Sequence, residues 1–196
     1  MLVLASSSAA RARILAAAGI DATVDPAAVD EAQIKAESRA MGRDADACAL
    51  LLAEAKAKDV AARHPGALVL GADQMLECAG RWFDKPVDMS EARAQLQALN
   101  GQEHQLITAA AMVRDGAVLW RVVERSLLKM RRFTAAFLDR YLTAMGERVL
   151  GTVGGYELEG MGAQLMARIE GDYFAILGLP LLPILAFLRD EGALAT

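Results

Sequence analysis

Residues 68–88, LVLGADQMLECAGRWFDKPVD, constrain the fold of this chain more than any other stretch. An apolar run ends in an acid, Asp73, and after Ala79-Gly80 the chain turns back through Trp82 and Phe83 to Lys85 and Pro86. An apolar segment bounded by a glycine turn reads as a strand over 68–77 with a hairpin partner over 81–84. A carboxylate at the end of a buried strand is costly unless it faces a cation, a metal ion or a substrate. Asp73 is therefore the first candidate for chemistry. The hairpin is expected to return Lys85 towards the same end. The two then read either as a general base or metal ligand beside a phosphate-binding lysine, or as a partly buried structural ion pair.

Capping signals set the other elements. A strand over 2–5 leads through Ser6–Ser8 into a helix over 9–18 that stops at Gly19. Asp30 is placed to cap a short helix to Arg39, and Asp44 a longer one over 45–64, with Leu50, Leu51, Leu52 and Ala55 on its core side. Asp88 with Glu91 reads as a capping box for a helix over 89–99, closed by Asn100-Gly101. Asp115-Gly116 joins two strands over 105–114 and 118–130, and Thr134 caps a helix over 135–145. Five glycines in residues 151–162 mark a shaped loop, either a sharp corner or backbone approaching a ligand. Residues 163–170 and 173–177 read as a further hairpin, and 180–190 as a closing helix with proline in its first turn. The pattern predicts an α/β protein with a mixed, hairpin-rich sheet flanked by helices, in a single domain over 1–196.

With 55% hydrophobic residues the chain is a folded globule, and a net charge of −4 gives no field for nucleic acid or an acidic membrane. The longest apolar run, 175–188, is broken by Gly178, Pro180 and Pro183 and falls short of a bilayer span. A cytoplasmic location is the expectation. Cys48 and Cys78 lack metal spacing and read as small buried thiols. His64 and His104 form no metal pair, His64 being explained by a helix C-terminus. Arg11 and Arg13 stand in a first helical turn, where a cation is unfavourable unless an anion lies nearby or water solvates it. Lys56 and Glu31, taken singly, are ordinary: a solvated helical lysine and a helix-start acid.

Taken in order, LASSSAARARILAAAGI at 4–20, VDE at 29–31, LAEAKAKDV at 52–60, GADQML at 71–76, the run from Asp84 to Ala109, GYELEG at 155–160 and ILGLP at 176–180 resemble the Maf family of nucleoside triphosphate pyrophosphatases. The resemblance implies an ITPase-like fold with a cleft between two lobes. It also implies hydrolysis between the α and β phosphates, a requirement for Mg²⁺ or Mn²⁺, and a possible homodimer. By that resemblance Asp73 is the catalytic acid and a metal ligand, Glu31 a second metal-facing carboxylate, and Ser8, Arg11, Lys56 and Lys85 the triphosphate contacts. Gln74 and Glu159 fall where base preference is set and resemble the 7-methyl-GTP branch; the dTTP and UTP branch usually has threonine and glutamine there. The family's SPRR is SAAR here: Ala9 replaces proline, and Ala10 replaces a residue that in relatives is arginine or an aromatic, which removes the aromatic that could stack on a cationic methylated base, a contact of roughly 0.5–2 kcal/mol. The alternatives are a dTTP/UTP-preferring pyrophosphatase and a nucleotide-binding regulator of cell division with little turnover.

Overall fold

The strand signals resolve into one mixed sheet. In the computed structural model, which describes residues 1–195, seven strands run in the order β2-β1-β3-β5-β6-β7, with β4 paired to β3. They are β1 (Leu2–Leu4), β2 (Ala22–Val24), β3 (Leu68–Cys78), β4 (Arg81–Phe83), β5 (Glu103–Arg114), β6 (Ala117–Met130) and β7 (Met166–Glu170). The helices are α1 (Ala9–Ala17), α2 (Glu31–Ala40), α3 (Ala45–Ala61), α4 (Met89–Leu99), α5 (Ala135–Met145), α6 (Tyr173–Ile176) and α7 (Leu181–Asp190). β1 pairs parallel with β2 and β3, whereas β3 with β4 and β6 with β7 are antiparallel. Ser8, Asp30, Asp44, Asp88 and Thr134 each cap their helix through the side chain. No helix among the described residues is long and apolar enough to cross a membrane.

Two compact units divide the chain. The first comprises Met1–Gln74, Thr108–Glu124 and the segment from Asp172 onward; the second comprises Met75–Ile107 and Arg125–Gly171. In the first unit, strand alternation sorts the core into two layers. Leu4, Leu68, Leu70 and Ala72 pack with Ile14 and Leu15 of α1 and with Leu181, Ile184 and Leu188 of α7. Val3, Ala5 and Val69 point the other way, onto Ala57, Val60 and Ala61 of α3.

The buried stripe of α3 is Cys48, Ala49, Leu52, Ala53, Lys56, Ala57 and Val60. Of the four residues expected on its core side, Leu52 is fully buried, while Leu50, Leu51 and Ala55 are half-buried. Small alanines, rather than the leucine run, face the sheet.

In the second unit the glycine-rich stretch is a corner. Gly154 and Gly155 both have positive φ, and a Cβ on Gly154 would lie 2.6 Å from the side chain of Leu76. The Tyr141 hydroxyl donates to the Gly155 carbonyl at 3.0 Å and holds the corner in place. The hairpin expected over 163–177 is not formed. Residues Met166–Glu170 pair with β6, and after Gly171, at φ 134°, Asp172 caps the short helix α6 by accepting from the N–H of Ala175. The aromatic pair Tyr173-Phe174 carries strand propensity, and the local cap overrides it. β2 has no counterpart in the sequence reading. His64 does more than complement a helix end, since its Nε2 lies 2.8 Å from Asp25. Both cysteines are free and buried, as expected.

His104, also in the second unit, is 1% exposed and bonds through Nε2 to the Tyr156 hydroxyl at 2.7 Å. Its Nδ1 is buried without a partner. Burial pushes its pKa down from 6.5 to about 4, so the folded state holds the ring neutral. The unfolded chain then binds the extra proton first, and the stability this ring confers is present above pH 6.5 and drains away as pH falls towards 4. At about 1.4 kcal/mol per pH unit the loss is about 3 kcal/mol. Denaturant unfolding at pH 7 and pH 4.5 is expected to show this slope, and His104→Gln to flatten it. An equal slope in the variant would assign the acid sensitivity to other groups.

Candidate active site

Asp73 lies in the middle of β3 rather than at the strand end expected from the sequence, and the polar groups around it are held by elements of the first unit. Asp73 follows Val69 and Gly71 on the face of β3 that meets α3. There Lys56 Nζ lies 2.6 Å from Asp73 Oδ1 and 2.8 Å from Glu31 Oε1. Lys56 is 8% exposed and Asp73 5% exposed, whereas the Glu31 side chain is about half exposed, at 46%. Reading Lys56 as a solvated helical charge is therefore incorrect. Its position three residues after Ala53 and four before Val60 places it on the buried stripe, and the spacing alone signals this. Asp73 has Lys56 as its ion-pair partner. Lys85 belongs to the second unit, where the β3–β4 pairing runs from Cys78↔Arg81 to Leu76↔Phe83 and stops before it.

Asp73 Oδ2 is buried and has no hydrogen-bond partner in the protein. Leaving such an oxygen unpaired costs on the order of 1–3 kcal/mol. An arrangement that spends this on a carboxylate is suited to a water, a metal ion or a substrate group.

Gln74, one residue on, points to the opposite face. Its Nε2 donates to Thr108 Oγ1 at 2.9 Å and to the carbonyls of Ala175 and Ile176 at 3.0 and 3.1 Å. Thr108, 1% exposed, donates its own proton to Ala175 O at 2.8 Å. Three oxygens around one nitrogen fix which end of the amide is which. Only the Gln74 carbonyl oxygen remains to accept from a ligand.

Arg11 is held by carbonyls instead of being solvated. Its Nε donates to Gly178 O at 2.8 Å, and Nη1 donates to Ala72 O at 2.8 Å and to Ser6 Oγ at 3.1 Å. Burial lowers the guanidinium pKa from its ordinary value, and the charges of Asp73 and Glu31 pull it back up. Ser8 caps α1, its Oγ accepting from Arg11 N at 3.4 Å, while the Ser8 N–H donates to Ser6 Oγ at 3.2 Å. Ala10 is half-buried in the first turn of α1. Glu159 is exposed in the turn before the 3-10 helix Met161–Leu165, in the second unit.

The first unit thus gathers Ser8, Arg11, Glu31, Lys56, Asp73 and Gln74. Ser6 and Thr108 join them without a role in the sequence reading: Thr108 bonds Ala175, 67 residues away, whereas Ser6 accepts from Ser8 and Arg11 within five residues and reads from sequence only as part of a turn. For a divalent ion, Asp73 and Glu31 supply hard oxygen ligands of the kind Mg²⁺ and Mn²⁺ take, commonly one or two carboxylates completed by substrate phosphates and water. The partnerless Oδ2 fits such an ion. Among the described residues there is no cluster of three or more His, Cys, Asp or Glu that could hold a metal ion.

A mixed sheet whose strand β3 carries a buried acid at its middle, near a lysine and an arginine, is the arrangement of a protein that handles a polyanion with a carboxylate at hand. Residues 1–191 match the family model for Maf-like protein, and the chain belongs to that family. A nucleoside triphosphate pyrophosphatase of Paramagnetospirillum magneticum is 54% identical over 192 residues, covering 98% of this chain and 99% of that protein. A nucleoside triphosphate pyrophosphatase of Granulibacter bethesdensis is 51% identical, over 98% of each chain. A 7-methyl-GTP pyrophosphatase of Mesorhizobium japonicum is 49% identical, over 98% of this chain and 97% of that one.

Proposed function

We propose that this chain hydrolyses nucleoside triphosphates between the α and β phosphates, releasing a nucleoside monophosphate and pyrophosphate, with 7-methyl-GTP as the preferred substrate. The observation that carries the reading is the buried Asp73 oxygen with no protein partner, beside a carboxylate-bridging lysine. Asp73 Oδ2 takes the proton of the attacking water, and the pyrophosphate leaves without any bond to the protein. Lys56 and Arg11 compensate the phosphate charge in a chain of net charge −4, Ser8 with the N–H groups of α1 adds donors, and Lys85 meets a further phosphoryl oxygen. Asp73 and Glu31 would hold a Mg²⁺ or Mn²⁺ ion, which supplies Lewis-acid stabilisation of phosphoryl charge when bound. Gln74 presents its carbonyl oxygen to base N–H donors, and Glu159 is a second acceptor suited to a guanine edge. The names of the relatives support this reading.

The experiment is pyrophosphate release from 7-methyl-GTP, GTP, dTTP and UTP with Mg²⁺ or Mn²⁺, and again after chelation. Fastest release from 7-methyl-GTP, stopped by the chelator, is expected. Preference for dTTP and UTP would replace the substrate assignment, and binding without release of any nucleotide would favour the regulator.

A further inference from the structure

The backbone that carries Lys85 is tied to one helix on both sides of the lysine. Gln95 of α4, 4% exposed, donates from Nε2 to the carbonyl oxygen of Asp84 at 3.0 Å and to Glu91 Oε1 at 3.2 Å. The other oxygen of the same carboxylate, Glu91 Oε2, accepts from the Val87 N–H at 2.9 Å. Between these anchors stand Lys85, exposed, and Pro86, buried, whose ring fixes its φ. All of these residues lie within the second unit.

Helix capping does not account for this arrangement. Asp88 caps α4 by accepting from the Glu91 N–H at 2.7 Å, but in a capping box the Glu91 side chain would return to Asp88's own N–H. It reaches one residue further, to Val87, and so ties down the chain that follows Lys85. Core stability does not account for Gln95 either. Its Oε1 is buried with no hydrogen-bond partner, a cost that a methionine of similar shape would not carry. A side chain that burdens the core and spends its satisfied end on the residue before Lys85 has its use at Lys85.

We propose that Glu91 and Gln95 are positioning residues that preorganise Lys85 for a substrate phosphate. The proposal rests on the reading that Lys85 contacts the triphosphate. A lysine stem is flexible, and an anchored backbone reduces the freedom lost when the ammonium engages a phosphoryl oxygen.

A double-mutant cycle between Gln95→Met and Lys85→Ala tests it, read by kcat and KM for nucleotide hydrolysis and by the thermal midpoint. Gln95→Met is expected to keep or raise the midpoint while lowering kcat/KM about tenfold. In the Lys85→Ala background the same substitution is expected to change kcat/KM by less than about twofold, because no lysine remains to be positioned. Glu91→Gln, which keeps an acceptor for Val87, is expected to retain more activity than Glu91→Ala. Equal losses from Gln95→Met with and without Lys85 would overturn the positioning role. Wild-type kinetics in Lys85→Ala would instead overturn the phosphate contact on which it depends. Should Gln95→Met fail to fold, Glu91→Ala at its half-buried site completes the same cycle.

Discussion

Asp73→Asn is expected to reduce pyrophosphate release by roughly 10²–10⁴-fold, the range for losing a positioned proton acceptor, while leaving a folded protein. Breaking a buried ion pair usually costs about 3–5 kcal/mol, because the surviving charge is left without compensation. Here that penalty is avoided. Asparagine has the shape of aspartate and still offers an oxygen to Lys56, and Lys56 keeps Glu31 at 2.8 Å. What disappears is the negative charge and the acceptor character of Oδ2, the atom that no protein group satisfies. The measurement pairs pyrophosphate release with the thermal midpoint of the same sample. A midpoint near wild type with turnover lost separates chemistry from folding, and near wild-type turnover would remove Asp73 from the mechanism.

The parts of the fold legible in the sequence are those decided within a few residues. Ser8, Asp30, Asp44, Asp88 and Thr134 cap because the acceptor lies three residues from its donor, a relation the sequence displays directly. The Asp115-Gly116 turn is legible for the same reason, with both residues at positive φ. The site is legible in its residue types and much less in its pairings. Lys56 is chemically a surface residue, and only its register with Leu52, Ala53 and Val60 betrays that it faces the sheet. Thr108 joins the site through Ala175, 67 residues away, and no local pattern encodes that contact. The neighbours Asp73 and Gln74 differ in task because a strand sends successive side chains to opposite faces: one meets α3 and its lysine, the other the carbonyls of α6.

Gly71→Ala is expected to be the most damaging single-methyl change in the first unit. A Cβ at Gly71 would overlap the carbonyl oxygen of Ala53 and lie 2.8 Å from the backbone nitrogen of Ala57 and 2.9 Å from its Cβ. Gly71 has no positive φ, so its requirement is space and not backbone freedom. The obstructing atoms belong mainly to the main chain of α3 and cannot rotate aside as a side chain would, so the helix itself must move. Overpacking of this kind costs about 3 kcal/mol or more, equivalent to a midpoint lower by about 10 °C in a chain of this size. The functional consequence follows from the same contact. Ala53 and Ala57 bracket Lys56 on α3, and Gly71 precedes Asp73 by two residues on the same face of β3, so the close approach is what brings the ammonium to 2.6 Å from the carboxylate. Activity measured well below the midpoint is therefore expected to fall further than the folded fraction does. Gly151→Ala serves as the control, since that glycine has open space and no positive φ, and it is expected to stay within about 0.5 kcal/mol of wild type. A Gly71→Ala protein that unfolds with the wild-type midpoint would mean that α3 can yield without cost, and the Lys56–Asp73 distance would then owe nothing to the glycine.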